Sequence, residues 1–155
     1  MSVKLSPHFS LSEFTDSQTA VRLGIKNEPD AKTIENLKAV AKQLESIRNT
    51  LNEYSIRISS GYRCLALNRA IGSSESSAHI TGWAVDFTCP HFGTPLQAAH
   101  KILAAGYKFD QLICEGDNGK GAGWVHISFD PKMRGDVLTA KFVGGKALYT
   151  KGLPA

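Results

Sequence analysis

The 155-residue sequence predicts an α+β fold, a small antiparallel sheet with helices packed on one of its faces. Two observations predict it. Apolar residues recur at steps of three and four between Asp30 and Leu51, the period of a helix that buries one face. Farther along, four short segments alternate apolar with polar residues and are bounded by Gly or Pro, as in strands joined by turns. One layer of helix on one layer of sheet is the simplest way to bury both apolar surfaces.

The elements follow in order. Ser10-Leu11-Ser12-Glu13 reads as a capping box, with Ser10 as N-cap and Glu13 reaching back to it, so a short helix follows and ends near Gly24. Pro29 and Asp30 open the long helix, whose apolar face is Ile34, Leu37, Val40, Ala41, Leu44, Ile47 and Leu51. Ile56, Ile58 and Ser60 alternate with Arg57 and Ser59 as a strand that Gly61 ends. Leu65 to Ile71 gives one or two helical turns stopped at Gly72, and Ser73 to Ser77 is a polar loop. A second strand spans about Ala84 to Thr88, stopped by Pro90, which has no N–H for the ladder. Thr94, Pro95 and Gln97 start another helix as N-cap, N1 and N3, ending near Gly106. Two further strands, about Gln111 to Glu115 and Gly123 to Phe129, flank the turn-rich stretch Gly116 to Ala122.

Length and composition fit one domain over residues 1–155. A chain of this size buries roughly 70% of the surface its unfolded form exposes, and 42% hydrophobic with 21% charged residues is ordinary for a globular protein. Net charge is +4, which favours an anionic partner without choosing among nucleic acid, membrane and cell wall. The Lys and Arg residues form no run or stripe, which argues against nucleic acid as a partner. Cys64, Cys89 and Cys114 are odd in number and match no zinc ribbon or CxxC spacing, so they read as three reduced, partly buried thiols. The start, Met1-Ser2-Val3-Lys4-Leu5-Ser6-Pro7, lacks the apolar stretch of a signal peptide, and no segment has the ~18 apolar residues of a membrane span. The expectation is a protein made in the cytoplasm, with no membrane partner, acting as a monomer.

The chemistry concentrates in His79, Asp86 and His126. Two imidazoles and a carboxylate are a ligand set for a catalytic zinc that keeps one position open. His79 and Asp86 are seven residues apart, which in one regular strand puts them on opposite faces. Gly82 between them permits a bend, so that His79 sits on a loop and Asp86 on the strand. Ala84 and Asp86 then share one face and Val85 and Phe87 the other. In the last strand Trp124, His126 and Ser128 share a face, with Val125, Ile127 and Phe129 opposite. Any one of the three taken alone reads more readily as a hydrogen-bonded structural His or, for Asp86, an ordinary capping or surface carboxylate; the three together point to a metal, in part through the resemblance given below.

A metal-dependent hydrolase also needs a base for the attacking water. Glu115 is the candidate. If 111–115 and 123–129 form a hairpin, Glu115 pairs opposite Trp124 and stands diagonal to His126, roughly 7–8 Å away by Cα. Asp110 is the weaker rival. Arg63, after the turn at Gly61, places a guanidinium fork suited to a substrate carboxylate. Ser77 either bonds substrate or orders the loop. His8, His91 and His100 lack such context and read as structural.

Several segments together resemble the family of zinc peptidases that holds D-Ala-D-Ala carboxypeptidases and phage endolysin peptidases. They are Ser59-Ser60-Gly61-Tyr62-Arg63-Cys64, Leu67-Asn68, Ser77-x-His79-x-x-Gly82-x-Ala84-x-Asp86 and Trp124-Val125-His126-Ile127-Ser128. Ser6-Pro7-His8-Phe9, Ser12-Glu13-Phe14 and Phe109-Asp110-Gln111-Leu112-Ile113 are similar to its small phage and prophage members. The likeness runs from about residue 6 to 130. It implies a Hedgehog/DD-peptidase-like fold, Zn2+ held by His79, Asp86 and His126, a catalytic glutamate, and an arginine, matching Arg63, that helps hold substrate. The implied substrate is the peptide of bacterial peptidoglycan, and the implied role a phage or prophage lysis enzyme that reaches the wall or periplasm after release, or travels with the virion. One departure stands out. Many members carry the glutamate three residues before the last histidine, and here that position is Gly123. The departure leaves room for a second reading, a catalytically inactive, zinc-containing module that binds the cell wall.

Overall fold

The structure is a computed structural model that describes residues 3–155; Met1 and Ser2, the first residues of the N-terminal stretch read above, lie outside the described residues. The elements run β1 (Lys4–Ser6), β2 (Phe9–Ser10), α1 (Leu11–Thr15), α2 (Gln18–Leu23), α3 (Ala31–Thr50), β3 (Arg57–Ser60), α4 (Leu65–Ile71), β4 (Ala84–Thr88), α5 (Pro95–Ala104), β5 (Gln111–Glu115), β6 (Trp124–Ser128), β7 (Asp136–Val143) and β8 (Lys146–Lys151). The class is α+β. A two-stranded β1-β2 ribbon accompanies a six-stranded sheet of order β3-β4-β6-β5-β7-β8.

The helix signals act as the sequence predicts. The Glu13 carboxylate accepts from the Ser10 N–H at 2.7 Å. The region between Ser10 and Gly24 is nevertheless two helices. Asp16 is extended, and Ser17 caps the second helix by accepting from the Ala20 N–H at 3.1 Å. Asp30 caps α3 through the Thr33 N–H, and Thr94 and Gln97 close a reciprocal box at the start of α5.

The core lies between the helices and one face of the sheet. Leu37, Val40, Ala41, Leu44 and Ile47 of α3 and Ala98, Ala99 and Ile102 of α5 pack with Val85, Phe87, Leu112, Cys114, Val125 and Ile127. These sheet residues are the alternate positions along β4, β5 and β6, so one face is fully committed to the core. The opposite face carries Asp86, His126, Ile113 and Glu115 and is left for chemistry. All three cysteines are free, with Cys89 and Cys114 buried.

The structure extends the expected architecture at its C-terminal side. β7 and β8 form a hairpin about Gly144 and Gly145, and β7 joins the sheet parallel to β5. The remaining pairings are antiparallel, so the sheet is mixed. No helix among the described residues is long and apolar enough to cross a membrane.

Candidate metal centre and cleft

Register places the first two metal-ligand candidates side by side. Asp86 on β4 pairs directly with His126 on β6, so both project to the same face. His126 Nδ1 lies 2.9 Å from Asp86 Oδ1. His79 arrives from the loop before β4. Gly82 bends that loop with φ +79 and packs against Thr33 of α3, where a side chain has no room. Asn36 of α3 also donates to the Thr81 carbonyl at 2.9 Å. The result puts His79 Nε2 3.3 Å from the same Asp86 oxygen.

The donor set fits a metal. Ligand atoms of His79, Asp86 and His126 all lie within 4.8 Å of one another, with His79 and Asp86 buried and His126 largely so. Two ligands at 2.0–2.1 Å on a tetrahedral zinc stand about 3.3 Å apart, close to the 2.9 and 3.3 Å separations found here. The tautomer of His79 is also set. Its Nδ1 donates to the Gly61 carbonyl at 2.6 Å, which leaves the Nε2 lone pair for the site.

The electrostatics of His79 and Asp86 agree with a ligand shell, while His126 is held by its Asp86 pairing. Burial, reinforced by His126 and Arg63, outweighs the pull of Asp86 and holds His79 below its ordinary value, in the neutral form a metal needs. Burial disfavours the Asp86 anion, but the charges and hydrogen bonds of the two histidines win and hold it well below the usual carboxylate range. For His126, burial is overcome by the Asp86 hydrogen bond and charge, with help from Glu115, and the imidazole is raised.

Glu115 pairs opposite Trp124, in the register anticipated from the sequence. Its Oε2 accepts from the Trp124 indole Nε1–H at 2.5 Å. Burial, then the nearby Asp86 charge, raises the carboxyl above its ordinary value, against the opposing effects of His126, the Trp124 hydrogen bond and Arg63. The Trp124 ring in turn stacks on Phe142 of β7, with centroids 5.7 Å apart and planes inclined 36°.

Arg63 enters from the turn after β3. Its backbone N–H donates to the His79 carbonyl at 3.1 Å. Its Nη2 reaches Ser77 Oγ at 3.5 Å, and its Nε is buried with no hydrogen-bond partner among the described residues. Ser77 Oγ also accepts from the His79 N–H at 3.2 Å, so it orders the loop. A residue not singled out from the sequence, Asn27, pins the turn that carries Arg63: its amide donates to the Thr15 and Tyr62 carbonyls and its oxygen accepts from the Cys64 N–H. Asn68 of α4 does the same for the 73–77 loop, donating to the Ser74 carbonyl at 2.9 Å.

Asp110 lies in the same cleft, yet its carboxylate is held by the Arg134 fork, with Nε at 2.8 Å and Nη2 at 2.9 Å. It is a structural anchor and leaves Glu115 as the carboxylate beside the metal group. His8 pairs with Glu45 at 2.6 Å and His100 with the Pro154 carbonyl, both away from the site.

His79, Asp86, His126, Glu115, Trp124, Arg63 and Ser77 line one cleft of about 510 Å3, together with Lys132, Phe142 and Tyr149 from the chain beyond β6. A model of the Peptidase M15 family matches residues 7–128. The chain belongs to the Peptidase M15 family. This is the zinc D-Ala-D-Ala carboxypeptidase-like family expected from the motifs, and its members are zinc-dependent metallopeptidases. No curated protein matches the chain significantly. The Peptidase M15 match holds all three histidine and aspartate candidates, Glu115 and Arg63, and stops at the end of β6. The β7–β8 hairpin, which contributes Phe142 and Tyr149 to the cleft, lies outside it.

Proposed function

We propose that the protein is a zinc-dependent peptidase that cleaves peptide bonds of bacterial peptidoglycan and serves as a phage or prophage lysis enzyme. The observation that carries the reading is the buried His79–Asp86–His126 group with a partly buried carboxylate, Glu115, on the neighbouring strand of the same open cleft.

His79 Nε2, Asp86 and His126 Nδ1 would hold the metal. A zinc ion there supplies Lewis acidity, polarising a peptide carbonyl and making bound water more acidic. The chain's own residues do the rest. Glu115 takes a proton from the attacking water and delivers it to the departing amine, the work of a carboxylate whose proton affinity burial has raised. Trp124 fixes the carboxylate by its indole N–H, so the base does not swing away from the cleft. Arg63, with an unpartnered buried Nε and a Ser77-supported Nη2, offers donors to a substrate carboxylate or carbonyl. Ser77 keeps both the Arg63 fork and the His79 loop in place. The mildly basic charge suits an anionic wall.

The reading of an inactive wall-binding module rested on Gly123 standing where a glutamate is common. Glu115, already beside the metal group on the paired strand, favours the enzyme. The test is incubation of the zinc-loaded protein with purified peptidoglycan, with and without chelator, and mass spectrometry of what is released. Chelator-sensitive peptide fragments are expected, and their new termini name the bond. Stoichiometric zinc with no release from several wall types would leave a binding module.

A further inference from the structure

The β7–β8 hairpin brings a hydroxyl to the cleft that the catalytic account has not used. Glu115 pairs with Ala140 on β7, and Ala140 pairs with Tyr149 on β8. Trp124, Glu115, Ala140 and Tyr149 therefore form one row across four strands, all projecting to the site face. The row places only a methyl group between the base and the tyrosine. A phenol is far longer than that methyl, and Tyr149 lines the same cleft as the metal group. Partial burial, then the Glu115 and Asp86 carboxylates, raises its phenol above the ordinary value.

The hairpin is held against the site. Phe142, on the same face of β7 as Ala140, stacks on Trp124. It also closes over Gly116, where an added Cβ would stand 3.3 Å from its ring. The Tyr149 side chain is 54% exposed, and its hydroxyl makes no hydrogen bond to another described residue. The group is thus positioned, open to the cleft and unspent.

We propose that Tyr149 contacts the substrate, its hydroxyl donating a hydrogen bond to a carbonyl or carboxylate oxygen of the peptide bound in the cleft. A peptide offers such acceptors at every residue, and a phenol supplies a donor without adding charge to a cleft that already holds the Arg63 cation. The hairpin that carries Tyr149 lies beyond the segment matched by the family model. The contact rests on the peptidase reading above.

Tyr149→Phe removes one oxygen and keeps the ring. With zinc-loaded protein and soluble muropeptides, kcat/KM is expected to fall about tenfold, a size suited to one hydrogen bond to a charged or polarised acceptor. Zinc stoichiometry and the unfolding midpoint stay at the wild-type values. Leu148→Ala, on the opposite face of β8 and exposed, leaves kcat/KM unchanged. Equal kcat/KM for Tyr149→Phe and wild type would overturn the inference, as would an equal fall for Leu148→Ala, which would mark general loosening of the hairpin. A wild-type protein that binds zinc and cleaves nothing would sink the peptidase reading and this inference with it, an outcome distinct from either of those.

Discussion

The backbone of Glu115 occupies the space where Gly123 would carry a side chain. A Cβ at Gly123 would collide with the Glu115 carbonyl oxygen, and would stand 2.6 Å from the Gly116 carbonyl carbon and 2.7 Å from the Asp117 nitrogen. Gly123 also has φ +88, a conformation that L side chains rarely adopt. The glutamate common at this position in Glu-x-x-His members is therefore sterically barred here, and the carboxylate proposed as base lies across the ladder on β5.

Restoring that pattern should fail. Gly123→Glu is expected to destabilise the protein by at least about 1–3 kcal/mol, the cost of one strained backbone position, with more from the clash. Combined with Glu115→Ala it does not recover cleavage. Denaturant unfolding and a cleavage assay on the single and double variants check both parts.

Trp124 tunes Glu115, the carboxylate proposed as base. Its N–H stabilises the charged form of Glu115 and so opposes the upward push of burial. Trp124→Phe keeps a ring for Phe142 to stack on and removes the donor. The Glu115 carboxyl then rises further, and the acid limb of the kcat/KM profile moves to higher pH. A limb that stays put or moves to lower pH would count against Glu115 as the group that must lose its proton.

Metal binding should stabilise the fold through Asp86. Free zinc at a hundred times its Kd adds about 2.7 kcal/mol, or about 5–10 °C in Tm for a domain of this size. Asp86→Ala removes the one anion of the ligand group, so its melting curve is expected to be the same with zinc and with chelator. Melting curves of both proteins under both conditions test this.

Asp110 and Arg134 give a pH-dependent anchor for the segment between β6 and β7. The Arg134 hydrogen bonds hold the Asp110 carboxyl below its ordinary value against the opposing effect of burial. A group depressed in the folded state contributes stability above its unfolded value of about 4, and that contribution is lost as pH falls through the folded value. The wild type should therefore lose more stability than Arg134→Ala between pH 5 and the acid range. Parallel slopes would show the pair to be idle.

Much of the site was legible in the sequence because period two is a local property. Val85 and Phe87 against Asp86, and Val125 and Ile127 against His126, state which side chains leave the core. The Glu115–Trp124 register was only a supposition about the hairpin in the sequence, and the strand pairing bears it out. The roles proposed for Trp124 and Tyr149 were not legible, since each depends on a neighbour on another strand. The β7–β8 hairpin did leave a signal, Gly144-Gly145 between alternating runs. Its residues are mostly exposed on both faces, however, so its apolar alternation is weak, and its parallel pairing with β5 has no local signature. The split of the first helix at Asp16 and Ser17 was masked by helix-compatible residues on either side.

The most direct test compares wild-type protein with Glu115→Gln, both zinc-loaded, on the same peptidoglycan. The account predicts chelator-sensitive release by the wild type, and loss of release by Glu115→Gln at unchanged zinc stoichiometry. Release at the wild-type rate by Glu115→Gln would contradict it.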